Sequence, residues 1–267
     1  MSNVFNFKRF VKYLRHDLVS AWQNAGISMV VIACMPVWFF AIYELFSVVF
    51  GHGFADMSVY AGIAAYLVSF VLAIIFLPVQ IYGNITDKRP GSNWLLVPAS
   101  AFEKFLSMLL VLCVALPASW LAVIALTDVL LPLTGLYNGP AVSNIFSSLD
   151  NLIAQFHSEN RDFALGGPYG VYLNWCADIL TFALGAIFFR KNKIVYTFLS
   201  IMGIGIAISV VVGIFFSNLG FDLNFGPEDI NEDSIMRWLN ICVYAVYAVE
   251  FALLDLGLFF RIKTLKH

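Results

Sequence analysis

Four carboxylates lie inside otherwise apolar stretches of this sequence, and their chemistry stands out: Glu44, Asp178, Glu250 and Asp255. An unpaired charge at the centre of a membrane helix costs roughly 2.5–3.5 kcal/mol on insertion scales, so such residues usually face the interior of a helix bundle. Asp178 and Glu250 are predicted nearest the middle of their helices, and Asp255 near Arg261 at one membrane surface. Two uses stay open: a path for protons or cations, or structural hydrogen bonds to Ser, Thr, Tyr or Trp on neighbouring helices.

Other chemistry has little support in the sequence. No phosphate loop, H-E-x-x-H or G-x-S-x-G motif occurs, and the four histidines are scattered. The cysteines lie in apolar runs without C-x-x-C spacing, so neither a disulfide framework nor a zinc site is indicated: Cys34, Cys113, Cys176 and Cys242. We therefore predict no enzymatic activity, no metal and no bound cofactor for this chain.

The composition sets the class of protein. Of the 267 residues, 61% are hydrophobic and 12% are charged, and the mean hydropathy is +0.84. Soluble domains carry roughly 25% charged residues. The first long apolar run exceeds a signal-peptide core and lacks a cleavage site, so it is a predicted spanning helix. These features predict an all-α polytopic membrane protein.

Six apolar runs are long enough to cross a hydrocarbon layer of roughly 30 Å, which takes about 20 residues: 27–50, 59–82, 104–130, 170–190, 194–217 and 237–260. They form a predicted transmembrane domain over 27–267. Pro117 lies inside the third run, where a neighbouring helix or Ser119 is needed to satisfy the freed carbonyl. The short segment 190–193 predicts a tight turn between antiparallel helices.

Residues 1–26 form a predicted N-terminal unit. Apolar residues recur in it at helical spacing, beside a basic flank, which is typical of an amphipathic helix lying in the membrane surface: Phe7, Phe10, Val11, Leu14, Leu18 and Trp22. A second, external amphipathic helix is predicted within the loop of about 134–168. Small residues at four-residue spacing mark close helix packing in the second and fifth spans: Ala61, Ala65, Ser69 and Ala73, then Gly205, Ser209 and Gly213.

Most basic residues fall into four groups that six crossings place on one side: Lys8, Arg9, Lys12 and Arg15; Lys88, Arg89 and Lys104; Arg190, Lys191 and Lys193; Arg261, Lys263 and Lys266. The opposite loops are acidic, apart from Arg161 and Arg237. The positive-inside rule then predicts that both termini are cytoplasmic.

The loop of about 83–104 is the longest connection on that side. Ser100-x-x-Glu103 is a capping box that predicts a helix start. We expect this loop to dock another protein, with Trp94, Leu95 and Leu96 as apolar anchors and the remaining residues as supports and rim charges: Pro98, Ser100, Glu103 and Lys104. The alternative is that the apolar patch lies only in the lipid headgroup layer.

The run "LLVPASAFEKFLSMLL", residues 95–110, resembles a segment of small permease-like proteins related to ABC-2 type exporters of Bacteroides-like bacteria. The resemblance implies a bacterial inner-membrane permease that binds a separate ATPase through this loop and pairs with a second permease subunit. ATP and Mg²⁺ are then expected on the ATPase. No nucleic acid is expected as a partner of this chain. The long external loop departs from compact members of that group.

Two other functions stay open. The intramembrane carboxylates suit an ion- or proton-coupled carrier. The outer helix and inner loop suit a membrane scaffold or sensor subunit that transports nothing.

Overall fold

A computed structural model of the chain describes residues 5–50, 59–86, 91, 94, 96–133, 167–218 and 232–264. Within these ranges the structure is helical and has no β-strand. The α-helices are α1 (Phe7–Ala33), α2 (Met35–Val49), α3 (Val59–Tyr82), α4 (Ala101–Leu110), α5 (Leu116–Leu133), α6 (Gly167–Phe188), α7 (Lys193–Asn218) and α8 (Glu232–Thr264). A 3₁₀ turn, Gly83–Thr86, follows α3, and a π-helical stretch, Val111–Ala115, joins α4 to α5.

Three stretches of these helices are long and apolar enough to cross a membrane: Ala64–Thr86, Ala101–Thr127 and Lys193–Val211. Helices α1 and α2 together would add a fourth span, broken by a bend of 41°. The predicted spans lie on helices, with the first and the third each divided between consecutive elements, and the apolar helices indicate a membrane-embedded protein. The predicted external helix falls almost wholly in 134–166, outside the described residues.

The first helix differs from the prediction. Helix α1 starts at Phe7, runs without interruption past the predicted boundary at residue 26 and ends at Ala33. The break comes at Cys34, two residues before Pro36. Proline has no backbone N–H and its ring clashes with the preceding turn, so a helix cannot continue straight through it.

The core lies where α1, α3, α5 and α6 meet. Small residues of α3 have no exposed surface, namely Ala65, Ser69 and Ala73. Since small side chains let helices approach closely, the predicted close packing of this helix is confirmed for those three residues. The rings of Trp120 and Trp175 meet edge to face at 5.4 Å between centroids, and both contact Phe70.

Two prolines free backbone carbonyls that other helices satisfy. Pro36 cannot donate to the Ile32 carbonyl, and Ser69 Oγ of α3 donates to that oxygen instead at 2.7 Å. Trp120 Nε1 then donates to Ser69 Oγ at 3.1 Å. A side chain from each of α3 and α5 therefore stabilises the break between α1 and α2, because a buried carbonyl without a partner is costly.

The second case is Pro117, which cannot donate to the Cys113 carbonyl. The Tyr172 hydroxyl and the Cys176 thiol of α6 donate to that oxygen. Ser119 donates to the Leu116 carbonyl at 2.8 Å. Of the two predicted ways to satisfy the carbonyl, the structure uses the neighbouring helix.

The connection between α6 and α7 is the tight turn predicted at 190–193. Asn192 adopts a positive φ of 44°, a left-handed conformation that asparagine tolerates better than most residues. Just before the turn, a Cβ at Gly185 would overlap the Thr197 hydroxyl. Glycine therefore allows α7 to fold back against α6.

Helix α7 contributes little to the core. A Cβ added at Gly205 would meet nothing within 4 Å, and Ser209 donates only to the Gly205 carbonyl of its own helix, at 2.9 Å. Among the described residues, this predicted packing stripe contacts no other helix, unlike the stripe on α3.

Candidate functional site

The start of α4 has the predicted capping box. Ser100 Oγ accepts a hydrogen bond from the Glu103 N–H at 3.2 Å, and Glu103 Oε2 accepts one from the Ser100 N–H at 2.8 Å. Each side chain satisfies a backbone donor that the first helical turn leaves open. The box fixes where α4 begins and how Glu103 points.

Glu103 also binds the N-terminal helix. Arg9 donates from Nε to Oε2 at 2.8 Å and from Nη2 to Oε1 at 2.7 Å. The Asn6 N–H donates to Oε1 at 2.9 Å, while the Asn6 side chain caps α1 through the N–H groups of Lys8 and Arg9. One carboxylate therefore joins the start of α1 to the start of α4, and we call this set (Asn6, Arg9, Ser100 and Glu103) the clamp.

The interpretation of Glu103 and Lys104 as rim charges is wrong. Glu103 has no exposed surface and Lys104 is 6% exposed. Lys104 Nζ donates to the Trp94 carbonyl at 2.9 Å and lies 4.4 Å from the centroid of the Trp94 ring. The spacing of the capping box predicts the helix start. It does not predict that the side chains of Glu103 and Lys104 are buried and bind other parts of the chain.

The exposed apolar residues at this end of the bundle also differ from the predicted anchors. Leu96 is 76% exposed, Pro98 is exposed and Trp94 is half-buried, while Leu95 lies outside the described residues. Phe5 and Phe7 of the N-terminal segment and Phe102 of α4 are exposed too, and the rings of Phe5 and Phe102 meet edge to face at 5.9 Å. We call Phe5, Phe7, Leu96, Pro98 and Phe102 the end patch.

Basic residues gather at the same end of the bundle. Lys193, at the start of α7, donates to the Gly83 carbonyl just after α3. Arg261, near the end of α8, donates to the Ile187 carbonyl near the end of α6 at 3.3 Å. Together with Arg9 and Lys104, these contacts bring members of all four predicted basic groups to one end of the helices.

A buried acid, Asp17, joins three helices near the clamp. Its Oδ2 accepts hydrogen bonds from the Tyr82 hydroxyl at 3.0 Å and from Ser107 Oγ at 2.7 Å, and the residue is 6% exposed. The sequence does not predict this role, because Asp17 lies beside basic residues in a helix predicted at the membrane surface. A signal was present in its four-residue spacing from Tyr13 and Ala21, which share its buried face.

The structure does not gather the four predicted intramembrane carboxylates into one site. Asp178 of α6 and Glu250 of α8 are both exposed and close enough to interact electrostatically. Neither makes a hydrogen bond within the described part of the chain, so the predicted structural bonds to Ser, Thr, Tyr or Trp are not seen there.

The other two are partly buried. Glu44 Oε2 and Asp255 Oδ1 are buried and have no hydrogen-bond partner among the described residues. The expected neighbour of Asp255, Arg261, instead lies over the Phe188 ring at 5.4 Å and binds the Ile187 carbonyl.

No group of three His, Cys, Asp or Glu side chains in the described ranges could hold a metal ion. Comparison of the chain with protein-family models, curated proteins and solved structures finds no match.

Proposed function

We propose that this chain is the membrane-spanning permease subunit of an ATP-driven, ABC-2 type exporter. In this proposal a separate ATPase docks at the end patch, and ATP and Mg²⁺ are bound by that ATPase. The observation that carries the proposal is the clamp, which holds an exposed apolar surface rigidly against two helices that enter the core.

Rigidity matters because a subunit driven by ATP hydrolysis has to transmit movement from its partner into the membrane. Phe102 lies in the first turn of α4, and Phe5 and Phe7 lie at the start of α1. Glu103 ties these two starts together. A push on the end patch would therefore move α1 and the α4–α5 helix as one body.

Exposed aromatic and aliphatic side chains are also what a docking surface needs, since such anchors dominate interface energies. In this proposal Leu96, Pro98 and Phe102 are the anchors, and Trp94, Ser100, Glu103 and Lys104 hold them in place. The division follows the exposure of the side chains, since Leu96, Pro98 and Phe102 are exposed while Trp94 and Ser100 are half-buried and Glu103 and Lys104 are buried.

The same proposal places six crossings in a bacterial inner membrane with both termini cytoplasmic. It is supported by the basic residues that meet at the clamp end, since cytoplasmic loops are enriched in Lys and Arg. A second permease subunit, identical or related, would complete the pathway. The exposed face of α7 leaves room for it.

One observation favours a second candidate, an ion- or proton-coupled carrier. Asp178 and Glu250, on neighbouring helices, lie close enough to interact electrostatically, and carboxylates inside a membrane are typical of ion pathways. A scaffold or sensor subunit has no comparable observation in its favour.

The decisive experiment is capture of the partner from native membranes. The tagged wild-type chain should retain an ATPase, identified by mass spectrometry. The double variant Leu96→Ser and Phe102→Ser should insert normally and lose it. Leu199→Ser is the matched control, because Leu199 is 57% exposed on α7, and it should retain the ATPase. If the wild type captures no ATPase, or the double variant keeps it, the exporter proposal fails.

A further inference from the structure

A cavity of about 280 Å³ opens beside α1, between that helix, the end of α3 and the residues Trp94 and Val97. Three aromatic side chains, from Tyr13, Tyr82 and Trp94, line it together with the carboxylate of Asp17. Tyr13 and Tyr82 are 5% and 3% exposed, whereas His16 and Asn84 are exposed at its edge. Small-molecule sites begin at about this volume.

Asp17 is the unusual feature of this cavity. It is 6% exposed, yet its only hydrogen bonds from the described residues come from two neutral hydroxyls, and both end on Oδ2. Oδ1 has no hydrogen bond from this part of the chain. A buried carboxylate is normally paired with a cation or a metal. No Lys or Arg of the described ranges forms an ion pair with Asp17, and His16 is near enough only to act on it electrostatically.

Trp94 also has a hydrogen-bond donor that is not satisfied. Lys104 holds its backbone carbonyl and lies over its ring. Its indole Nε1 is buried and makes no hydrogen bond of good geometry, although the Tyr13 hydroxyl lies close enough to interact with the indole.

We propose that this cavity binds an organic ammonium ion, with its positive charge on Asp17 and its carbon-bound hydrogens against the rings of Tyr13, Tyr82 and Trp94. Aromatic rings attract cations over their faces, and cages of Trp and Tyr are the usual site for quaternary ammonium groups. A divalent metal fits less well, because Ca²⁺ takes six to eight oxygen ligands and the buried lining offers one carboxylate.

Two sources could supply the ammonium group: a free amine or the headgroup of a lipid. The cavity lies at the end of the bundle where basic residues gather, and Lys12 and Arg15 are exposed on the same helix. A zwitterionic headgroup could place its ammonium on Asp17 and its phosphate at the edge of the cavity, where His16 and Asn84 are exposed. The inference does not depend on the exporter proposal, since it concerns binding alone.

The test uses the purified full-length chain in a non-ionic detergent. Calorimetric titration with ethanolamine and with choline measures the free-amine source, with sodium chloride as the ionic-strength control. Native mass spectrometry after exposure to phosphatidylethanolamine, with phosphatidylglycerol for comparison, measures the lipid source. Asp17→Asn keeps an oxygen that can accept from both Tyr82 and Ser107, so thermal unfolding should show that it folds.

Asp17→Asn should lower affinity by on the order of tenfold or more, since the ammonium loses its negatively charged partner. Tyr13→Leu should lower the affinity by about two- to fivefold through loss of one ring. This variant tests the proposal if Asp17→Asn does not fold. Asp255→Asn, a partly buried carboxylate outside the cavity, is the matched control and should bind as the wild type does.

Binding of the free amines that falls in the cavity variants supports the proposal with a free amine as ligand. Retention of phosphatidylethanolamine that falls in those variants, without binding of the free amines, supports it with a lipid as ligand. Absence of binding in both arms, or equal binding by the wild type and the folded cavity variants, overturns it.

Discussion

Arg9 and Glu103, 94 positions apart in the sequence, form a two-pronged ion pair with donor–acceptor distances of 2.8 and 2.7 Å. The planar guanidinium matches both oxygens of the carboxylate, a geometry that a lysine cannot reproduce. Glu103 also accepts hydrogen bonds from the N–H groups of Asn6 and Ser100. A single buried carboxylate thus determines how the N-terminal helix meets the start of α4.

The clamp should be visible in a double-mutant cycle. Glu103→Gln and Arg9→Gln should each lower the melting temperature measured in detergent. The double variant should be about as stable as the weaker single variant, because both substitutions remove one shared interaction. Lys8→Gln, which changes an exposed neighbouring charge, should leave the melting temperature unchanged. Strictly additive losses would show that Arg9 and Glu103 do not act as a pair.

The capping box should contribute separately. Ser100→Ala should cost about 0.5–2 kcal/mol by removing the acceptor for the Glu103 N–H. Ser100→Thr keeps a hydroxyl and should cost much less. Hydrogen exchange at the amides of the first turn of α4 measures the difference. Equal exchange in both variants would mean that the box is not needed to hold this turn.

The break between α1 and α2 should depend on Ser69. Ser69→Ala leaves the Ile32 carbonyl and the Trp120 N–H without their partner, which should destabilise the protein by about 1–3 kcal/mol. Ser209→Ala is the control, since its exposed hydroxyl binds only its own helix and its loss should change stability by less than about 0.5 kcal/mol. Thermal unfolding monitored by Trp fluorescence compares them. Similar losses in both would contradict the assigned role of Ser69.

Asp178→Asn and Glu250→Gln should leave the fold intact and slightly raise its thermal stability. Each removes one of two neighbouring like charges that no described residue neutralises, and like charges in proximity destabilise a protein. Transport by reconstituted protein separates the candidate functions. Retained transport is expected for the exporter, and a folded pair of variants that transports nothing would favour the carrier instead.

The orientation can be tested with single cysteines in a background where the native cysteines are replaced. Lys191→Cys should react only when a reagent enters the cytoplasm, and Ser147→Cys should react from outside. Lys191 is a better position than Asn192, whose positive φ makes most substitutions strained. Labelling of both positions from one side would contradict six crossings.

Local sequence patterns predict much of the fold. The apolar runs predicted where helices lie, because burying apolar surface in lipid requires continuous hydrophobic segments whose backbone bonds are satisfied internally. Ser100-x-x-Glu103 predicted the start of α4, since both partners of a capping box lie within one helical turn. The sequence also indicates the break near Cys34, because Pro36 interrupts the predicted first span.

The remaining features depend on contacts that join distant parts of the chain. The sequence predicts Glu103 at the surface. Only the approach of Arg9 and Asn6 buries it and lets it join the start of α1 to the start of α4. In the sequence, Asp17 is one charge on a basic helix. In the structure, Tyr82 and Ser107, 65 and 90 positions away, donate hydrogen bonds to its carboxylate. Composition and spacing determine which segments become helices, because those forces act within a few residues. Tertiary packing alone decides which charges are buried, since that depends on which helix faces come together.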